Sequence, residues 1–195
     1  MLTFETCTGD ALLPYLDELA RLRIAVFADF PYLYAGDWAY ERDYLSTYLD
    51  KPKAVVVLAK AGARVVGAST GLPLVEETTN ICKPWTDAGY DLSKIFYLAE
   101  SVLEKPYRGL GAGFHFMRER EAWARREGFL HLVFCAVVRP SDHPLRPVGY
   151  RGLDVFWERL GFTKRPDLVC QMCWPDVGTR LESEKSLVFW EKKIP

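Results

Sequence analysis

Residues 100–121 read ESVLEKPYRGLGAGFHFMRERE, and this stretch decides how the middle of the chain folds. A strand-like run over 95–103 gives way to Gly109, Gly111 and Gly113, which alternate with other residues and open directly into a charged helix. Glycines remove side chains from a turn, so a ligand or another backbone can approach closely. The first turn of a helix also presents unpaired N–H groups and the positive end of the helix dipole. The stretch therefore predicts a strand, a turn and a helix that together suit a phosphate.

The composition of the chain favours one globular domain over residues 1–195. The 195 residues are 49% hydrophobic and 26% charged, and their formal net charge is −1. This length can bury a sizeable core, and the charge attracts neither nucleic acid nor an acidic membrane. No stretch approaches the roughly 20 apolar residues of a membrane span, and the N-terminus lacks a signal-peptide pattern. We therefore expect a cytoplasmic protein, monomeric or homodimeric, with no nucleic-acid or membrane partner.

The five cysteines are scattered along the chain. An odd number without a regular framework favours free thiols in a reducing compartment. Cys170 and Cys173 form a lone CxxC, but no second ligand pair and no βαβ context supports a zinc or redox site there. We expect that stretch to be a strand, and we expect no metal.

The order of predicted elements indicates the α+β class. An opening strand over 1–8 is followed by two amphipathic helices, the second with Asp37 at its N-cap. Two β-branched runs across KAGA (60–63) predict a hairpin. A polar connection over 76–94 leads to the strand, glycine turn and helix described above. The apolar strand HLVFCAVV (131–138), a short helix and two final strands complete the chain. The strand–helix–strand unit predicts a parallel strand pair.

Two nucleotide-binding motifs with similar glycines do not match this turn. A P-loop needs Gly-Lys-Ser/Thr after its glycines, whereas Gly113 is followed by Phe114 and His115. A dinucleotide fingerprint needs an acidic residue at the end of the next strand, which here ends CAVVRP (135–140). Helix caps alone would explain one or two of the glycines, but not three in alternation beside an arginine.

The run RGLGAG over 108–113 resembles the Arg/Gln-x-x-Gly-x-Gly/Ala signature of the GNAT superfamily of N-acetyltransferases. FWERLGF (156–162) is similar to the FYEKLGF ending of the family's last helix, and FPYLYAGD (30–37) resembles a subgroup of bacterial GNAT-like proteins. The resemblance implies a mixed, mostly antiparallel sheet of about seven strands flanked by helices. It also implies a splayed parallel strand pair that forms a cleft for acyl-CoA.

The resemblance implies a site for acetyl-CoA as cosubstrate. In the family, the turn cradles the pyrophosphate and the pantetheine arm lies beside the preceding strand. These roles fall here on Ser101, Val102, Leu103, Arg108, Gly109, Leu110, Gly111, Ala112 and Gly113. A backbone N–H near Val102 or Leu103 would stabilise the oxyanion. The implied activity is transfer of an acetyl group to a primary amine of a small molecule or a peptide, whose identity stays open.

Glu100 is the last acidic residue of the predicted strand before the turn. It is therefore the candidate general base, acting directly or through a water molecule. The alternative is that Glu100 is only a solvated or salt-bridged strand residue.

At the leaving-group end the sequence departs from the family. Many members carry a tyrosine in the last helix that protonates the departing thiolate, but the matching residue here is Trp157. An indole N–H cannot serve as that acid. The loop RPSDHPLRPVGYR (139–151) supplies Tyr150 and His143 as substitutes. The same departure leaves a second function open: a non-catalytic acyl-CoA sensor or partner-binding module.

Two loops contain candidate acceptor-binding residues. Asp142 lies in the 139–151 loop, and Tyr32, Tyr34 and Asp37 lie in FPYLYAGD. Charged loop residues are commonly just exposed, and aromatic loop residues commonly cap a core. These simpler roles stay open for all four residues.

Overall fold

The computed structural model describes all 195 residues, and one eight-stranded sheet runs through it. The strands are β1 (Thr3–Cys7), β2 (Val55–Ala61), β3 (Arg64–Pro73), β4 (Ile95–Tyr97), β5 (Ser101–Leu103), β6 (His131–Val137), β7 (Thr163–Pro175) and β8 (Glu182–Lys193). Their order in the sheet is β1-β2-β3-β4-β6-β8-β7, and β5 pairs with β3. Every pair is antiparallel except β4 with β6. The predicted mixed, mostly antiparallel α+β sheet is confirmed.

Five α-helices cover the two faces of the sheet. They are α1 (Leu16–Phe27), α2 (Trp38–Ser46), α3 (Thr79–Asp87), α4 (Ala112–Arg126) and α5 (Asp154–Arg159). Helices α1, α2 and α3 share one apolar cluster with the sheet, and α4 and α5 share a second cluster on the opposite face. Strand β6 contributes to both, because Val133 and Cys135 belong to the first and Leu132 and Phe134 to the second. Its fully apolar sequence follows from this two-sided burial.

The strand predicted over 95–103 is two strands, so the sheet has eight strands rather than about seven. Ala99 N–H donates to Thr70 O at 3.1 Å, and Thr70 N–H donates to Glu100 O at 3.0 Å. These bonds turn the backbone away from β6 and toward β3. The pattern of apolar and polar residues over 95–103 does not change at this break. The sequence therefore predicts one strand where the structure has two.

The polar connection predicted over 76–94 contains helix α3. Ile81 and Trp85 lie four residues apart on its inner face and are both buried. Polar residues and Pro84 surround this pair, which hid the helical period in the sequence. The tertiary contacts of one apolar face stabilise this short helix.

The hairpin and the cysteines follow their predictions. β2 and β3 pair antiparallel with Ala61 opposite Arg64, and Gly62 in the turn has a φ of +63°. Cys170 is buried and Cys173 is exposed on β7, and all five thiols are free. No helix of the protein is long and apolar enough to span a membrane.

Candidate active site

The sheet opens between β5 and β6. β4 and β6 pair in parallel only as far as Tyr97 and Val133, and a last hydrogen bond joins Leu98 N–H to Val133 O at 2.8 Å. Beyond this point β5 pairs with β3, whereas the rest of β6 continues beside β8. The two strands diverge, so the predicted splayed pair is confirmed and a gap lies between them.

Arg120 on α4 stabilises the break between β4 and β5. It is 1% exposed, and its Nη1 donates to Thr70 O at 2.9 Å and to Glu100 O at 3.0 Å. Its Nη2 donates to Ser101 Oγ at 2.8 Å. Burial lowers the pKa of Arg120 to about 9, partly offset by the charge of Glu100, so the side chain is still a cation at neutral pH. The carbonyls at the break thereby gain a buried donor from another element.

The backbone of β5 presents alternate peptide groups to the gap. Glu100 O and Glu104 N–H both bond to β3, and Val102 is paired with Ala68 between them. Because hydrogen-bonding direction alternates along a strand, the N–H groups of Ser101 and Leu103 face away from β3. These two peptides, rather than that of Val102, are available to a ligand in the gap.

The glycine turn lies at the N-terminus of α4, as the sequence predicts. Gly109 and Gly111 have φ values of +77° and +85°, a region that residues with a side chain rarely adopt. A Cβ atom at either position would meet nothing within 4 Å. The first helical bond runs from His115 N–H to Gly111 O, and the N–H groups of 109–114 donate to no protein atom. Free donors, open space and the helix dipole together suit an anion.

Arg108 lies between the turn and the gap. Its Nε donates to Leu103 O at 3.0 Å, and its Nη2 is 3.8 Å from a carboxylate oxygen of Asp29. The side chain is about half exposed, so its guanidinium can still reach a ligand phosphate. Arg108 thus places a positive charge next to the free N–H groups.

Glu100 is held at the break by two hydrogen bonds and one ion pair. Its Oε1 accepts a hydrogen bond from Tyr44 Oη at 2.5 Å and contacts the Arg23 guanidinium, and Thr70 donates to its Oε2. The side chain is only 11% exposed. Glu100 is therefore a salt-bridged residue, but one that lies at the mouth of the gap.

Arg23 pairs with Glu41 as well as with Glu100, and Glu41 is completely buried. Burial opposes the charge of Arg23, but Glu100, Tyr44 and Glu41 outweigh burial and raise the pKa of the guanidinium. Arg23 thus stays charged and fixes the carboxylate of Glu100. No group of three or more His, Cys, Asp or Glu side chains is arranged to hold a metal ion.

The segment 30–37 forms one wall beside the gap. Trp174 Nε1 donates to Tyr32 O at 3.1 Å, and Ala35 N–H donates to Pro175 O at 3.0 Å, so the segment is fastened to the end of β7. Burial raises the pKa of Tyr32, and the charges of Cys135 and Glu100 add to the effect. The Tyr32 ring packs against Phe27 of α1, with 4.7 Å between the ring centres.

Tyr34 and Asp37, the other two candidates in the segment 30–37, lie next to helix α2. Burial raises the pKa of Tyr34, and the neighbouring Glu41 adds to the effect. Asp37 is exposed, and its carboxylate accepts from Tyr40 N–H at 2.9 Å. Asp37 is thus the N-cap of α2, which the sequence also predicts.

The loop 139–151 packs on the same wall. The Tyr150 ring meets Phe30 edge-on at 4.7 Å, and the His143 ring lies 5.7 Å from it. Burial raises the pKa of Tyr150. The structure thus brings Tyr150 and His143 against the segment that carries Tyr32, whereas Asp142 is exposed.

Arg139 and Asp176 connect the two loops. Arg139 donates to Pro31 O at 2.8 Å and to Tyr32 O at 2.7 Å, and it forms an ion pair with Asp176 at 2.8 Å. Lys185 Nζ lies 3.3 Å from the same carboxylate. The segment 30–37 and the loop 139–151 are therefore fixed to each other by this charge cluster.

Trp157 does not point a proton donor into the gap. Its ring packs against Phe134 at 4.9 Å and Trp190 at 5.1 Å, within the apolar cluster under α5. At the position that carries the family's tyrosine, this protein therefore has a partly buried ring packed against an apolar cluster.

Sequence reasoning missed Arg23, Glu41, Tyr44, Thr70 and Arg120. One signal was present: Arg23 and Arg120 lie on helix faces that otherwise carry buried apolar residues. A charged residue on a buried helix face is uncommon unless it has partners. The partners themselves come from other elements, so the sequence pattern does not identify them.

The gap, the glycine turn and the carboxylate at the strand break agree with the class that the sequence resembles. The Acetyltransferase (GNAT) family matches the sequence over residues 19–162, well over half of the chain. The chain belongs to the GNAT acetyltransferase family. No curated protein sequence shows significant similarity to it.

Solved structures of similar shape include three bacterial proteins. A protein from Brucella melitensis, named ribosomal-protein-alanine N-acetyltransferase, is 14% identical, with coverage of 98% of this chain and 99% of that chain and a TM-score of 0.65. A protein from Salmonella typhimurium, described as an acetyltransferase with its cofactor acetyl-CoA, is 12% identical, with coverage of 100% and 94% and a TM-score of 0.62. A GNAT-family protein from Desulfovibrio desulfuricans is 11% identical, with coverage of 100% of both chains and a TM-score of 0.61. These likenesses show the fold.

Proposed function

We propose that this protein transfers an acetyl group from acetyl-CoA to a primary amine. One observation carries the proposal: the gap between β5 and β6 leads from the free N–H groups of the glycine turn to the carboxylate of Glu100. A site for a phosphate, a strand edge for an amide chain and a base are thus arranged in sequence. The acceptor is a primary amine of a small molecule or of a peptide.

The residues present fit the coenzyme. A pyrophosphate at the turn accepts hydrogen bonds from the N–H groups of 109–114, with Arg108 adding a charge-assisted bond. The side-chain-free space over Gly109 and Gly111 gives it room. The free N–H groups of Ser101 and Leu103 donate hydrogen bonds to the amide carbonyls of a pantetheine arm.

The chemistry needs a neutral amine, a polarised thioester carbonyl and an acid for the leaving group. Glu100 removes a proton from the acceptor ammonium, directly or through water. The C–N bond then forms while the C–S bond breaks, and an N–H of β5 stabilises the negative charge on the carbonyl oxygen. The nitrogen loses its second proton to water as the amide forms. Tyr150 or His143 returns a proton to the departing thiolate, because Trp157 cannot.

Binding and turnover test the proposal separately. Calorimetry with acetyl-CoA should show stoichiometric binding, and release of free coenzyme A should rise with at least one member of a panel of amino acids, polyamines and peptides. Absence of acetyl-CoA binding would refute the proposal. Binding without release of coenzyme A for any amine would instead favour the non-catalytic sensor, which the packing of Trp157 against Phe134 already makes the second candidate.

Glu100→Gln tests the role of the carboxylate. Removing a positioned base commonly lowers the rate on the order of 10²–10⁴-fold, so turnover should fall by that factor while acetyl-CoA affinity stays the same. The acidic limb of the pH–rate profile should shift or disappear. Glu104→Gln is the matched control, because Glu104 lies just beyond β5 and pairs with Arg21 and Arg64 away from the gap. Normal turnover in Glu100→Gln would make Glu100 a structural residue.

A further inference from the structure

Four side chains at the strand break form a closed ring of short oxygen–oxygen contacts. Tyr44 Oη lies 2.5 Å from Glu100 Oε1 and 3.1 Å from Tyr48 Oη. Tyr48 Oη lies 3.2 Å from Thr70 Oγ1, and Thr70 contacts Glu100 Oε2 to close the ring. Tyr48 and Thr70 are both buried, so water does not substitute for these contacts.

The directions of two of these bonds are determined by Thr70. Its hydroxyl oxygen accepts from the N–H of Glu100 at 3.2 Å and from Tyr48 Oη, which uses both of its lone pairs. Its single proton is therefore the one donated to Glu100 Oε2. The single proton of Tyr48 is used in the bond to Thr70.

Counting protons shows that the ring is incomplete while Glu100 is ionised. The ring has four contacts but only three hydroxyl protons, one each on Tyr44, Tyr48 and Thr70. With Glu100 ionised, Tyr44 donates to the carboxylate, and no proton lies between the two tyrosine oxygens. A fourth proton on Glu100 Oε1 would be donated to Tyr44, whose own proton would turn to Tyr48. All four contacts would then be hydrogen bonds running in one direction.

We propose that this ring stores the proton that Glu100 removes from the acceptor. An N–H bond of the ammonium breaks, its electron pair stays on nitrogen, and the proton bonds to Glu100 Oε1. Tyr44, Tyr48 and Thr70 are positioning residues whose reoriented hydroxyls stabilise the protonated carboxyl. This inference rests on the proposed function, since it assigns the step that follows proton removal.

Several charged and titratable groups surround Glu100. Arg23 from α1 contacts Oε1 and is itself paired with Glu41 of α2. Arg120 from α4 bonds to the backbone O of Glu100. Glu77 and Tyr32 are the remaining titratable neighbours. Tyr48 touches none of the carboxylate oxygens, so its hydroxyl can be removed while these groups stay in place.

Tyr48→Phe therefore isolates the ring. The carboxylate keeps Tyr44, Thr70 and Arg23, but protonation no longer gains a hydrogen bond. We expect the titration midpoint of the Glu100 carboxyl to fall by about half to one pH unit, the equivalent of one neutral hydrogen bond. The measurement is ¹³C NMR of carboxyl-labelled glutamate, with the Glu100 signal assigned by its loss in Glu100→Gln. Tyr40→Phe is the control, since Tyr40 lies on the same helix and is exposed.

The wild-type protein supplies a second measurement that does not depend on the variant folding. With tyrosine labelled at ¹³Cζ, the signals of Tyr44 and Tyr48 should change with the same midpoint as Glu100, because the hydroxyl of Tyr44 reorients. A Tyr48 signal that does not change through that range, or an unaltered or raised midpoint in Tyr48→Phe, would overturn the inference. Neither measurement needs an acceptor or acetyl-CoA, so failure of the proposed function is recognised separately. If one of the amines is acetylated, the acidic limb of the pH profile of kcat/KM should shift in Tyr48→Phe by the same amount as the NMR midpoint of Glu100.

Discussion

Gly111 adopts a φ of +85° at the N-cap of α4 and faces open space. Its backbone conformation and its missing side chain have different consequences. Any other residue there costs on the order of 1–2 kcal/mol of folding free energy because of the left-handed conformation. A side chain would also fill the space in which a phosphate meets the N–H groups.

Gly111→Val should therefore abolish acetyl-CoA binding in a folded protein. Gly128→Val is the matched control, because Gly128 also has a positive φ and open surroundings but lies just beyond the other end of α4. We expect similar losses of stability in both variants, measured by thermal unfolding, and a loss of affinity only in Gly111→Val, measured by calorimetry. Unchanged affinity in a folded Gly111→Val protein would refute the pyrophosphate site.

Tyr150 and His143 are the residues nearest in role to the missing tyrosine. Burial raises the pKa of Tyr150, so it stays protonated at neutral pH and can donate a proton to a thiolate. We expect Tyr150→Phe, His143→Ala or both to lower kcat by on the order of tenfold or more without changing acetyl-CoA affinity. Arg151→Gln, an exposed change in the same loop, is the control. If Tyr150→Phe and His143→Ala both keep wild-type kcat, the loop supplies no acid.

Among the helices and strands, the proposed acetyl transfer depends on the break between β4 and β5. Arg120 donates to two backbone carbonyls at this break and to Ser101, so helix α4 both presents the anion site and keeps the gap open. Helix α4 begins at the glycine turn and contacts the break through Arg120. It therefore fixes the position of the turn relative to the break.

Arg120→Met should lower both stability and coenzyme affinity. Hydrogen bonds from a charged donor are each worth about 1.5–3 kcal/mol, while removing a buried cation offsets part of that, so we expect a net loss on the order of 2–4 kcal/mol. Denaturant unfolding measures the stability and calorimetry the affinity. Arg118→Met is the control, because Arg118 is exposed on the same helix. A stable Arg120→Met protein with normal affinity would show that the break persists without this side chain.

At the scale of the whole molecule, three segments distant in sequence meet in one charge cluster. Asp176 after β7 pairs with Arg139 after β6, and Arg139 bonds to the backbone of Pro31 and Tyr32. Burial opposes the charge on Asp176, but the bonds from Arg139 and Lys185 outweigh it and lower its pKa. The cluster fixes the segment 30–37, the start of the loop 139–151 and the end of β7 relative to one another.

Asp176→Asn should destabilise the protein in a pH-dependent way. A lowered carboxyl pKa contributes stability above the ordinary value near 3.9, and the contribution is lost as pH falls through the lower folded value. We expect a deficit of about 1–3 kcal/mol at pH 7, typical of a charged hydrogen bond, which disappears once the pH falls below the lowered pKa of Asp176. Unfolding free energies at pH 7 and at a pH below that pKa, with exposed Asp50→Asn as the control, measure it. The variant should also raise KM for the amine more than for acetyl-CoA. An equal deficit at both pH values would contradict the charge-pair explanation.

The sequence by itself determined the features that local patterns encode. Apolar alternation and helical periodicity predicted most strands and helices, and the strand–helix–strand unit predicted the parallel pair. Gly109, Gly111 and Arg108 marked the turn at the head of α4, and the resemblance they carry is confirmed for the family. The smaller subgroup suggested by FPYLY and the individual site roles stay predictions.

Only the tertiary structure decided where the sheet opens and what surrounds Glu100. The break after Tyr97 depends on bonds from Thr70 and Arg120, which belong to other elements and leave no periodic trace in residues 95–103. Helix α3 escaped notice because its stability comes from two buried residues rather than from its own pattern. The ring of Tyr44, Tyr48, Thr70 and Glu100 arises for the same reason. Hydrogen-bond partners are chosen by proximity in space, and a local pattern carries no information about which distant side chains will be near.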